Sequence, residues 1–118
     1  MVDVFIKRAH DPVESGDGAR VLVDKLWPRG IKKEDLALKD WCKEVAPSET
    51  LRKWFSHDPD KWKEFRLHYL QELKDNKSRA RELLEKSEQG KLTLIFGAKD
   101  REHNHARVLR EYLKKMDH

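Results

Sequence analysis

The sequence predicts an α/β fold: a small single-domain sandwich built on a sheet that is at least partly parallel. Three observations carry this. The apolar runs Val21-Leu22-Val23 and Leu94-Ile95-Phe96 are continuous rather than alternating, as in strands covered on both faces. Between and after them lie segments whose apolar residues recur at helical spacing. The chain has 118 residues, the size of one domain, and can bury well over half of its extended surface without a staple.

The elements follow in order. Residues 2–8 are rich in Val, Ile and Phe and read as the first strand. Asp11, Pro12, Gly16 and Gly18 mark a loop. Residues 20–26 form the second strand, which Pro28 and Gly30 end. Residues 31–47 give no clear period. Ser48 is an N-cap for a helix over 48–55, and Pro59 opens another over 59–75, with Trp62, Phe65, Tyr69 and Leu73 inward. A third helix spans 78–88, with Gly90 as the residue that ends it. Residues 91–97 form the third strand, and 102–116 the last helix, burying Ala106, Leu109 and Leu113. The order strand, strand, helices, strand, helix requires a crossover. It leaves the relative direction of the first two strands open.

Charge and composition narrow the function classes. Lys and Arg total 26 against 22 acidic residues, a net charge of +4. The signs are interleaved, so a solvated mixed-charge surface is favoured over a nucleic-acid footprint. The single cysteine, Cys42, excludes an internal disulfide and reads as a small apolar residue rather than a nucleophile. No apolar run approaches the roughly 20 residues that span a bilayer. With an amino terminus that enters a strand pattern directly, the expected compartment is the cytoplasm.

Ligands of open α/β sheets sit beyond the carboxyl ends of the strands. Two strands here end in polar clusters: Asp24, Lys25, Trp27, Pro28 and Arg29, then Lys99, Asp100, Arg101, His103 and Asn104. If those strands are parallel neighbours, the clusters share one edge. The second also lies at a helix start, where free N–H groups favour an anion. Arg29 offers a bidentate grip on phosphate or carboxylate, and Lys99 a point charge. Asp24 and His103 are the candidate acid–base pair, with Asp24 or Asp100 orienting the ring. Trp27, Asp100 and Asn104 complete the expected ligand-binding set. Each has a structural alternative: Asp100 as a helix cap, Trp27 as core, and Asp24 in a buried network with Arg29 and Lys99. Trp41, Trp54 and Trp62 invite a stacking role, but Trp54 and Trp62 lie on helical apolar faces and read as core. His57, between two helices, is placed to cap the crevice or simply to join them. His103 and His105, two apart on a helix, would point to opposite sides, so no metal site is expected. No cofactor is implied.

The segments RVLVDKLWPRG, WCKEVAPS, LRKWFSHDPDKWKEF and LIFGAKDREHNHARVL resemble the YeaO-like bacterial proteins, part of a larger family of unknown function. The resemblance covers essentially the whole chain. It implies a cytoplasmic α/β protein and supplies no catalytic residues. The reading that results is a site for a small anionic ligand, phosphate-bearing or nucleotide-like, with or without catalysis. A nucleic-acid or protein interaction module and a purely structural polar cluster stand as alternatives.

Overall fold

The computed structural model describes residues 1–117. Four strands, β1 (Asp3–Arg8), β2 (Ala19–Leu22), β3 (Asp40–Trp41) and β4 (Lys91–Phe96), form one sheet in the order β1-β4-β2-β3. Every pairing is parallel. The first two strands are therefore both parallel to β4, which lies between them. The helices are α1 (Lys33–Leu36), α2 (Glu49–Phe55), α3 (Trp62–Asp75), α4 (Lys77–Glu85) and α5 (His105–Met116).

The continuous apolar runs divide between two faces, as strands covered on both sides require. Val21, Val23, Leu92, Leu94 and Phe96 enter the main core with Phe65, Tyr69, Leu83 and Leu109 from the helices. Leu22 and Ile95 turn the other way, onto Ala9 and Leu36, with Trp27 and Trp41 beside them. That second face has no long helix. Its polar end is closed by a buried network. Asp17 bridges Lys7 (2.8 Å) and Arg20 (2.6 Å), and its carbonyl accepts from Thr93 Oγ1 at 2.7 Å.

Several boundaries differ from the sequence reading, each for a physical reason. The strand expected over 20–26 runs from Ala19 and leaves the ladder after Leu22; only Val23 N–H still donates to Ile95 O, at 3.1 Å. The strand expected to 97 ends at Phe96, because the Gly97 N–H is taken by the Asp24 side chain. The last helix starts at His105, not 102. Asn104 is its cap, and the N–H groups of Glu102 and His103 are spent on Asp100 Oδ1. Pro59–Lys61 is a 3₁₀ turn, and α3 begins at Trp62. The helix expected over 78–88 spans 77–85, so Gly90 does not end it. Instead Gln89 and Gly90, both at positive φ, form the tight turn between Glu88 and Lys91. Trp54 is 37% exposed and meets His68 edge-on rather than entering the core. Strand β3 and helix α1 lie in the stretch that shows no period.

Gly18 holds the chain where β2 begins. Its φ is 65°, and a Cβ there would fall 2.5 Å from Lys91 Cβ and 2.6 Å from its carbonyl oxygen. Gly16, two residues earlier, has nothing within 4 Å of that position. Urea denaturation is expected to show Gly18→Ala destabilised by about 3 kcal/mol, from backbone strain and overpacking together. Gly16→Ala should stay within about 0.5 kcal/mol of the parent.

Candidate functional site

The parallel pairing of β2 with β4 brings their carboxyl ends side by side, so the two polar clusters open at one edge. They line a cavity of about 600 Å³, together with residues of α2 and of the loop after it. Of the expected residues, Asp24, Trp27, Arg29, His103 and Asn104 reach this cavity. Lys99 and Asp100 do not line it, although they lie in the same loop.

The floor lies where the sheet ends. Asp24 Oδ2 accepts the Gly97 N–H at 2.8 Å, replacing the ladder bond that β2 no longer supplies. A Cβ on residue 97 would come within 3.0 Å of that oxygen. The Asp24 carbonyl accepts Trp41 Nε1–H at 2.7 Å, which ties in β3. His105, at the first turn of α5, sets its Nε2 3.0 Å from Val23 O and 3.2 Å from Asp24 Oδ1. Two oxygens facing one ring nitrogen place the proton on Nε2. The imidazole that Asp24 faces is therefore His105, not His103.

His103 is oriented by Asp100 instead, with Nδ1 2.9 Å from Oδ2, and its ring stands edge-on to Trp62. The N–H of His103, then that of Glu102, then the His103 ring hold the Asp100 carboxyl down at about 2. Because His103 precedes the helix, the helical argument that separates it from His105 does not apply, and both line the cavity. Asn104 is buried and fully used as a cap: Oδ1 accepts Arg107 N–H and Nδ2 donates to Asp100 O. Trp27 is a wall, held by its Nε1–H on Ile31 O at 2.7 Å and edge-on to Trp41.

No Asp24–Arg29–Lys99 network forms among the described residues. Arg29 and Lys99 are exposed, and Asp24 is engaged by Gly97 and His105. Arg101 likewise turns away, making two hydrogen bonds to Asp11 (2.7 and 2.9 Å) that pin the loop after β4 to the loop after β1. Cys42 is half-buried. Burial, with Asp40 adding to it, pushes its thiol up to about 11 and keeps it from acting as a nucleophile at neutral pH.

Helix α2 contributes what the sequence reading did not include. Arg52 and Lys53 line the cavity, with Phe55 behind them. Arg52 Nε donates to Pro47 O at 3.2 Å, which anchors the guanidinium, while Lys53 pairs with Glu49. The cavity thus gathers Lys25, Arg29, Arg52 and Lys53 with His57, His103 and His105 around one carboxylate, Asp24. His57 follows Ser56 in a turn where both have positive φ, 58° and 47°, and Phe55 O accepts Asp58 N–H. Two adjacent non-glycine residues in the left-handed region are strained, and such strain collects at ligand sites. A comparable hollow of about 620 Å³ between α3 and α5 is lined by two carboxylates, Glu102 and Glu111, and two of its three arginines are occupied: Arg66 pairs with Glu111, and Arg110 Nε donates to Val4 O.

Residues 3–117 match the model of the family described as "DUF488-N3i: Inactive DUF488-N3 subclade". Uncharacterized protein YeaO of Escherichia coli (strain K12) is 44% identical over 115 residues, 98% of this chain and 100% of that protein. Uncharacterized protein Rv3073c of Mycobacterium tuberculosis (strain H37Rv) is 38% identical over 110 residues, 93% of this chain and 92% of the relative. No solved structure matches. No helix of the described residues is long and apolar enough to cross a membrane.

The Asp11–Arg101 pair makes a pH-dependent contribution. The Arg101 guanidinium holds the Asp11 carboxyl at about 2, below its ordinary 3.8. Its folded value lies below its unfolded one, so the stabilisation is complete above about pH 4 and is lost as pH falls towards about 2. Arg101→Ala should therefore be less stable than the parent at about pH 6, with the gap closing towards about pH 2. Denaturation midpoints across that range check this.

Proposed function

We propose a binding function for this chain, which belongs to the DUF488-N3i family. Its cavity at the strand ends holds a small anion, phosphate-bearing or nucleotide-like, in the cytoplasm. The observation that carries this reading is the sign of the lining: four Lys and Arg side chains and three histidines converge on about 600 Å³ with one carboxylate among them. A concave, low-dielectric site of one sign concentrates ligands of the other. Arg29, on the loop after β2, and Arg52, on α2, are the grips, since a planar guanidinium matches a phosphate or carboxylate edge. Trp27, Pro28 and Phe55 give the ligand an apolar wall.

Binding without turnover is the simpler form of the proposal. The family model's own description, an inactive subclade, supports it. So does the spending of polar groups on the fold: Asn104 caps a helix, Asp100 organises a turn, and Asp24 holds a strand end.

Thermal denaturation with phosphate and with nucleoside monophosphates, against sodium chloride of matched ionic strength, tests the reading. The phosphates should raise Tm beyond the salt control by mass action on the folded state. Arg29→Ala and Arg52→Ala should each weaken binding about tenfold, the worth of one charge-assisted hydrogen bond. A melting temperature indifferent to every phosphate compound would contradict the proposal.

A further inference from the structure

The cavity has two chemically different ends. Its two arginines, Arg29 and Arg52, lie on the loop after β2 and on α2. The end where the sheet stops carries Asp24, Gly97 and His105, and its side-chain donors and the Gly97 N–H are already committed. The Gly97 N–H is on Asp24 Oδ2, Trp41 Nε1–H is on Asp24 O, and His105 Nε2–H faces Val23 O and Asp24 Oδ1.

What that end offers a ligand is acceptors. With its proton on Nε2, a neutral His105 presents a lone pair at Nδ1. Nδ1 meets no partner among the described residues and is not sealed in the interior, and the His105 ring lines the cavity. Asp24 Oδ2 accepts one N–H and has room for a second donor. Asp24 Oδ1 is buried, with only the His105 ring near it. A phosphoryl group, with its negative charge and mostly acceptor oxygens, is disfavoured beside the Asp24 carboxylate. An ammonium donor would enter a cavity already in surplus of positive charge. A hydroxyl satisfies both conditions, and about 600 Å³ is far more room than inorganic phosphate fills.

We propose that the ligand is a hydroxyl-bearing anion, a phosphorylated polyol or sugar, whose anionic end sits on Arg29 and Arg52 and one of whose hydroxyls donates to His105 Nδ1. This rests on the anion-binding reading of the same cavity and adds the second half of the ligand. The preference arises at His105, because Val23 O, with Asp24 beside it, fixes which ring nitrogen is left as the acceptor.

Titration calorimetry compares inorganic phosphate, methyl phosphate, glycerol 1-phosphate and ribose 5-phosphate. The two hydroxylated compounds should bind at least about tenfold more tightly than methyl phosphate. In His105→Phe that ratio should fall to about one. The ratio in the parent protein tests the proposal even if this variant does not fold. Equal binding of all four compounds overturns the hydroxyl proposal while leaving the anion-binding reading intact. Binding of none overturns both. A preference that persists in folded His105→Phe overturns the assignment to His105.

Discussion

The hydrogen bond from Gly97 N–H to Asp24 is the interaction on which the site depends. Strand β2 leaves its ladder after Leu22, but the chain is not released there. Over the next two residues its polar groups are taken by three different elements: Gly97 beyond β4, Trp41 of β3 and His105 of α5. A side chain thus continues the work of the sheet for one more step. It does so at the place where the two central strands would otherwise splay. The bond also requires residue 97 to stay small, because a Cβ would press on the carboxylate.

From that anchor the rest of the cavity follows. The chain after Asp24 turns outward through Pro28, carrying Arg29 to one side. The chain after Gly97 is drawn through the Asp100 turn and delivers His103 and His105 to the same space. Helix α2 closes the third side because Phe55 stacks on Phe65 of α3, which fixes where Arg52 and Lys53 emerge. The charge of the cavity is thus a tertiary property. The chain as a whole carries only a small positive excess, while this one hollow has a strongly positive lining.

Much of this is legible in the sequence. The continuous apolar runs identify β2 and β4 as covered strands, and parallel pairing then forces Asp24 and the 97–104 loop to one edge. Helices α2 to α5 follow from apolar spacing and from Ser48 and Pro59. The rest is not legible, for identifiable reasons. Strand β3 is two residues long and has no period to detect. Either Asp100 or Asn104 can cap α5 on sequence grounds, and the choice moves the helix start by four residues. That shift reverses the argument about His103 and His105. Arg52 and Lys53 lie in a well-formed helix, and nothing local says that this helix leans over the strand ends. The resemblance to YeaO-like proteins is shown by the matched family and relative, neither of which assigns a ligand.

The central claim is that Asp24 holds Gly97 and so shapes the cavity. Amide hydrogen exchange at Gly97 tests it most directly. That N–H lies beyond the last residue of β4, where a loop amide would exchange freely. Protection of Gly97 comparable to that of Phe96 is expected in the parent protein, and its loss in Asp24→Ala while the β4 core amides stay protected. Free exchange of Gly97 in the parent, or protection that survives in Asp24→Ala, would contradict it.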